Sequence, residues 1–258
     1  LAYDELLANQ LALVLIRTHM RKQGGRSIIG TGTLKGKVLA ALPFEPTNSQ
    51  ILALQEITKD MSSNGRMHRL LQGDVGSGKT LVAVLSMLHA VESGAQAALL
   101  APTEILARQH LATIEPLATA AGINATLLTG RDKGKKRSAI YEGIANGNVD
   151  IIIGTHAIFQ ENVNFKNLIF VVMDEQHRFG VHQRLALTSK GQNVDILVMT
   201  ATPIPRTLTL TAYGDMEISR LMEKPVGRLP IDTRTVTVNR LDDVIQGLSR
   251  ALKKLQKI

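Results

Sequence analysis

The chain has 258 residues, no cysteine and a formal net charge of +8, with 44% of its residues hydrophobic. That is enough apolar material for one large core or two small ones, and no apolar run reaches membrane-spanning length. The missing thiols exclude disulfides, thiolate metal sites and cysteine nucleophiles, in keeping with a cytosol, and the seven His show no metal-ligand spacing. The positive charge suits a polyanionic partner, but aromatic residues make up only 3% and Trp is absent. Stacking platforms for bases are therefore scarce, and backbone phosphates are the contact to expect.

Leu1–Glu5 lacks the basic start and unbroken apolar stretch of a signal peptide. The start without Met reads as the cut end of a longer protein. Residues 3–22 are expected to be helical: Leu6, Leu7, Leu11, Val14 and Leu15 share one side, Arg17, Arg21 and Lys22 suit a helix C-terminus, and Gly24-Gly25 ends the run. A loose Gly- and Lys-containing connector without a clear period extends to Pro43.

From residue 47 short apolar runs alternate with helical segments. Thr47 is placed as the N-cap of a helix through Met61. Strands are expected at Arg69–Gln72, Ala95–Ala101, Ala125–Thr129, Asp150–Gly154, Ile169–Met173 and Asp195–Thr200. Helices are expected at Lys79–Ser93, Glu104–Ala121, Lys135–Asn146, Val181–Ser189 and Arg206–Tyr213. Near-continuous apolar strands separated by helices predict an α/β domain, a doubly wound and mostly parallel sheet with helices on both faces. Pro225–Pro230 reads as a linker, Thr233–Val238 as a strand, and Leu241, Ile245, Leu248, Leu252 and Leu255 as the stripe of a terminal helix. The expected division is 1–45 (helix and connector), 46–225 (the α/β domain) and 226–258 (linker and the opening of a second domain).

Gly73-Asp74-Val75-Gly76-Ser77-Gly78-Lys79-Thr80 meets the P-loop pattern in full, with the apolar pair Leu70-Leu71 before it and a helix after it. The glycines let successive N–H groups converge on a phosphate at the positive end of that helix. Lys79 then serves the β- and γ-phosphates of a nucleoside triphosphate, and the Thr80 hydroxyl serves Mg²⁺. A metal-facing carboxylate should end a neighbouring apolar strand, and Leu168–Met173 runs directly into Asp174-Glu175. Asp174 is the expected second Mg²⁺ partner and Glu175 the group that orients or deprotonates the attacking water, a sufficient core for phosphoryl transfer to water.

Asp174-Glu175-Gln176-His177 is a DExH-type box. Ala101-Pro102-Thr103, Thr129-Gly130, Gly154-Thr155-His156 and Thr200-Ala201-Thr202-Pro203 stand around it in order. Together with the P-loop, these motifs resemble the first RecA-like lobe of superfamily 2 helicases and translocases from about residue 40 to 225. Longer strings, among them Gly154–Gln160, Asp174–Arg184 and Thr200–Leu208, are similar to bacterial branch-migrating DNA helicases. The transcription–repair coupling translocases are the near alternative, although they typically carry Glu where this chain has Gln176.

The resemblance implies further roles. Thr47 and Gln50 match an adenine-recognising motif, since an amide can both donate to and accept from the base edge. Phe44 is open to two readings, a stack on the base or a buried anchor for the connector. Pro102, Thr103, Thr129, Gly130, Thr155 and His156 match motifs that contact the nucleic-acid backbone without reading bases. Gln176, His177, Thr200 and Thr202 match positions that couple the nucleotide to the DNA surface. The resemblance also implies an upstream wedge domain and a second RecA-like lobe that supplies an arginine finger. On that reading the parent acts on branched duplex DNA in a bacterial cytoplasm with no membrane partner. The present chain alone would then hold ATP and DNA with little turnover.

Overall fold

The computed structural model describes residues 24–174, 190–191, 193–202, 216–223, 233 and 235–255, together with Leu7 and Leu11. Two compact units divide the chain, Leu1–Pro225 and Val226–Ile258.

In the first unit, seven strands form one sheet in the order β3-β4-β2-β5-β6-β1-β7. They are β1 (His68–Gly73), β2 (Gln96–Leu100), β3 (Ala125–Leu128), β4 (Ile151–Gly154), β5 (Leu168–Asp174), β6 (Asp195–Thr200) and β7 (Glu217–Leu221). Every pairing is parallel. Side chains alternate between two apolar layers, as a strand's period of two requires. Leu71, Leu99, Ile153, Val172 and Met199 join the layer beneath α1 (Thr33–Ala41), α2 (Asn48–Met61), α3 (Lys79–Glu92) and α4 (Glu104–Ala121). Leu70, Leu100, Ile152, Val171 and Val198 join the opposite layer, with Ile144 of α5 (Gly134–Asn146) and Ala157 and Ile158 of the 3-10 turn His156–Phe159. Both faces of the sheet are covered, which is why its strands read as continuous apolar runs.

In the first unit the expected strands and the expected helices up to α5 form within a residue or so of their anticipated bounds, with two departures. The connector holds α1, whose start is fixed from far along the chain. The Glu92 carboxylate, at the end of α3, accepts from the backbone N–H of Gly32 at 2.7 Å and from that of Leu34. No local signal announces a helix whose first N–H groups are satisfied by a residue about sixty positions away. The other departure is β7, an edge strand on β1 with alternating exposure and two charged residues, Glu217 and Arg220. The helices expected at Val181–Ser189 and Arg206–Tyr213 lie outside the described residues. So does the helix at 3–22, apart from Leu7 and Leu11, both helical and exposed.

A buried polar cluster joins the helix before the P-loop to the sheet. Arg69 on β1 donates to Asp60 at 2.9 and 2.7 Å and to Glu56 at 3.2 Å, both on α2, and to Ser219 on β7 at 2.9 Å. Its guanidinium is thereby paired on all sides, the condition for burying a cation.

In the second unit α6 (Leu241–Leu255) forms as expected, with Leu241, Ile245, Leu248 and Leu252 exposed along it. The strand expected at Thr233–Val238 is not formed. Residues 235–237 are irregular and Val238–Arg240 is a 3-10 turn. A strand needs a partner for its backbone groups, and none stands beside this segment among the described residues of its unit.

Candidate functional site

The site lies along the C-terminal edge of the sheet, where parallel α/β folds present their loops. β1 delivers Gly73 and the chain turns through Asp74–Gly78 into α3. Gly78 caps α3 in the left-handed region (φ 86°), and Gly76 shares that region (φ 76°). The left-handed backbone and a collision with the Gln50 amide nitrogen both forbid a Cβ at Gly78. At Gly73 an ideal Cβ would stand 2.5 Å from Ser77 Oγ. The Lys79 ammonium turns back onto the loop and donates to the carbonyls of Gly73 at 2.6 Å and Asp74 at 3.0 Å. The Ser77 hydroxyl is buried with no hydrogen-bond partner among the described residues. The cationic head over the loop is the donor a phosphate chain would take up.

Thr47 caps α2 through a capping box: its hydroxyl accepts from the Gln50 N–H at 3.3 Å, and Gln50 Oε1 accepts from the Thr47 N–H at 2.9 Å. Gln50 Nε2 donates to the Ser77 carbonyl at 2.7 Å. The residue is 4% exposed, so the adenine-reading amide inferred from the motif is occupied at both ends by its own chain. Phe44 is 54% exposed, which removes the buried-anchor reading.

Asp174 ends β5 on the layer of α3 and α4. β6 separates its strand from β1, and the register sets Asp174 level with Met199 and Leu71, two strand spacings, roughly 10 Å, from β1 and two residues short of Gly73. Its Oδ2 lies within hydrogen-bond distance of His110 Nε2 of α4, at 2.7 Å. Sequence reasoning did not single out His110; its place between Ala107 and Ile114 on the buried stripe of α4 was the available signal. Among the described residues no cluster of three or more His, Cys, Asp or Glu could hold a metal. One hydroxyl at Thr80 and one carboxylate at Asp174 are nonetheless the donor set that suits Mg²⁺, which keeps several waters and takes phosphate oxygens as further partners. Glu175, Gln176 and His177 lie outside the described residues.

At the end of β6, Thr200 and Thr202 share a hydroxyl–hydroxyl bond of 2.8 Å. Gln72, the residue before the P-loop, donates to the Thr202 carbonyl at 3.2 Å and accepts from Arg220 Nε of β7 at 3.2 Å. One amide thus spans the three neighbouring strands β6, β1 and β7. Gln72, Asp74, Ala201 and Arg220 line a cleft of about 400 Å³ here. Neither Gln72 nor Arg220 was singled out from the sequence: Arg220 lies on β7, which was not expected, and the bridge made by Gln72 depends on reaching it.

The other half of the edge carries the expected nucleic-acid motifs. Leu128, Gly154 and Leu100 are ladder partners in one row, so the turns after β3, β4 and β2 start level. A Cβ on Gly154 would collide with the Leu128 carbonyl, which accounts for the glycine. Pro102 and Thr103 are half-buried, and Thr103 caps α4, accepting from the Leu106 N–H at 3.3 Å. Gly130 and His156 are exposed. Thr129 and Thr155 differ from expectation, being buried at 0% and 7% exposure. The Thr129 N–H and hydroxyl donate to Asp132 Oδ2 at 2.9 and 3.1 Å. Burial works to raise the Asp132 carboxyl, but the bonds from Thr129 and Lys136 outweigh it and hold the group below its usual range. Arg131 reaches across to Glu104 in the first turn of α4 at 3.2 Å, tying two of the turns together.

A P-loop on β1, an acidic strand end on β5 and a parallel sheet with both faces covered define a RecA-like nucleotide-binding domain. The DEAD/DEAH box helicase family matches residues 47–211, and the chain belongs to that family. It is 49% identical over 97% of its length to the ATP-dependent DNA helicase RecG of Escherichia coli K12, and 47% identical over 98% to RecG of Bacillus subtilis. It spans 37% of the length of each. A solved structure of RecG bound to a three-way DNA junction superposes with a TM-score of 0.87 at 43% identity, covering 98% of this chain and 34% of that one. The DUF1998 helicase MrfA, at 17% identity and a TM-score of 0.58, shares the fold. No described helix is long and apolar enough to cross a membrane.

Proposed function

We propose that this chain is the ATP-binding lobe of an ATP-dependent DNA helicase that remodels branched DNA, such as replication forks and Holliday junctions, in bacterial recombination and repair. The observation that carries the reading is the pairing of an intact P-loop on β1 with Asp174 at the end of β5, within a chain aligned over 97% of its length with RecG. Lys79 neutralises the β- and γ-phosphates. Thr80 and Asp174 would hold Mg²⁺, which when bound would supply charge neutralisation at the phosphates, and Glu175 would aim the attacking water. The N–H groups of Asp74–Gly78 and the Ser77 hydroxyl complete the phosphate cradle, and Thr47 and Gln50 brace it from the adenine side. Pro102, Thr103, Gly130 and His156 meet the DNA backbone, with Thr129 and Thr155 shaping the turns behind them. Thr200 and Thr202, with Gln176 and His177, connect the two halves of the edge.

The chain spans about a third of its relatives, so the wedge domain, the second lobe and the cytoplasmic action on DNA belong to this reading of the parent protein. The test uses a protein of the relatives' full length. Steady-state ATP hydrolysis should rise with a three-way DNA junction, and Lys79→Ala should abolish turnover while leaving junction binding in place. Turnover retained by the Lys79→Ala protein would overturn the assignment.

A further inference from the structure

We propose that His110 is a positioning residue for the metal-facing carboxylate of Asp174. This rests on the reading above that Asp174 faces Mg²⁺–ATP. An ionised carboxylate only accepts hydrogen bonds, so the 2.7 Å contact places a proton on His110 Nε2, donated to Asp174 Oδ2. The two side chains are 12% and 13% exposed, leaving little room for water to compete for that oxygen. One fixed donor on Oδ2 sets the carboxylate plane, so that Oδ1 would be left to serve the metal or its water.

The donor itself is rigidly held. Ala107 and Ile114, one turn before and one turn after His110 on α4, are fully buried. The imidazole therefore leaves the packed stripe of the helix, not its solvent face. Thr103 caps the same helix, and the seven residues from the cap to His110 amount to two turns, roughly 10 Å. One rigid element thus carries both a nucleic-acid-edge hydroxyl and the donor on the metal carboxylate.

A purely structural tie between α4 and β5 would need only a neutral acceptor. The acceptor here is the one strand-end carboxylate assigned to the metal, and donors placed behind metal carboxylates typically change metal affinity by about 10- to 100-fold when removed. The test follows binding of a fluorescent ATP analogue to this chain in EDTA and across a Mg²⁺ titration, for wild type, His110→Ala, His110→Gln and Asp174→Asn. His110→Ala should raise the Mg²⁺ concentration for half-maximal tightening by about 10-fold or more, with affinity in EDTA unchanged within about twofold. His110→Gln, which keeps a donor, should recover most of the shift. His110→Leu serves the same purpose should the alanine variant not fold. An unchanged Mg²⁺ midpoint in His110→Ala, or an equal loss of affinity with and without Mg²⁺, overturns the proposal. If Asp174→Asn also keeps the wild-type midpoint, the metal role of Asp174 falls and the proposal with it; if only Asp174→Asn shifts, the failure is that of His110 alone.

Discussion

The side-chain amide of Gln50 donates to the Ser77 carbonyl at 2.7 Å, so the helix that precedes the P-loop in the chain also braces it in space. The same amide closes the capping box with Thr47, so the start of α2 and the phosphate cradle are set by one side chain.

Gln50→Ala leaves the buried Ser77 carbonyl unpaired and opens half of the capping box. The expected loss is about 1–3 kcal/mol of folding stability, together with weaker ATP binding. Urea denaturation and a nucleotide titration of the same variant check both parts. Lost affinity at unchanged stability would point instead to a direct contact with adenine.

Gly78→Ala meets two obstacles at once, a left-handed backbone and the Gln50 amide nitrogen. The loop cannot keep its path, and ATP binding should drop below detection while the far-UV spectrum, dominated by elements outside the loop, stays close to wild type. Isothermal titration calorimetry beside circular dichroism decides the point; ATP affinity at the wild-type value would contradict the described cradle.

The buried Thr129 separates stability from nucleic-acid binding. Thr129→Val removes a hydroxyl bonded to the Asp132 carboxylate and should cost about 1–2 kcal/mol of stability, with DNA affinity barely changed. Arg131, exposed beside Gly130, should behave the other way: Arg131→Ala keeps stability and lowers the slope of log affinity against log salt by about one. Binding isotherms at several salt concentrations distinguish the two variants.

Asp195 gives the fold a pH dependence at the opposite edge of the sheet. Burial pushes its carboxyl up to about 7, against the Met67 N–H bond and the charge of Arg66, which lower it. Its Oδ1 accepts that N–H at 2.7 Å, while Oδ2 has no partner among the described residues. The folded-state value lies above the unfolded one, so folding takes up a proton between them. The contribution is complete below the ordinary carboxyl range and is lost as pH rises toward 7, at up to about 1.4 kcal/mol per pH unit. Asp195→Asn keeps the acceptor and removes the charge. Its stability should therefore change less between pH 5 and pH 8 than that of wild type in paired denaturation curves, and parallel profiles would contradict this.

Much of the fold was legible because its signals are local. The apolar runs of β1 to β6, the caps at Thr47 and Thr103 and the glycines of the P-loop each state their conformation within a few residues. What was not legible depends on distant partners. α1 starts where Glu92 holds it, β7 exists because β1 offers an edge, and the strand expected after Pro230 has no neighbour among the described residues of its unit. The site divides in the same way. Residues within motifs could be placed on the edge of the sheet, but the occupied amide of Gln50, the inward hydroxyl of Thr129 and the approach of His110 to Asp174 arise only when separate helices and strands meet.

If the Gly73–Thr80 loop holds the phosphates of ATP, this chain and its Lys79→Ala variant must differ in equilibrium ATP binding. The wild-type chain should bind saturably and more tightly with Mg²⁺, and Lys79→Ala should remove the binding. Absence of binding to the wild-type chain, or equal binding to both proteins, would contradict that role of the loop.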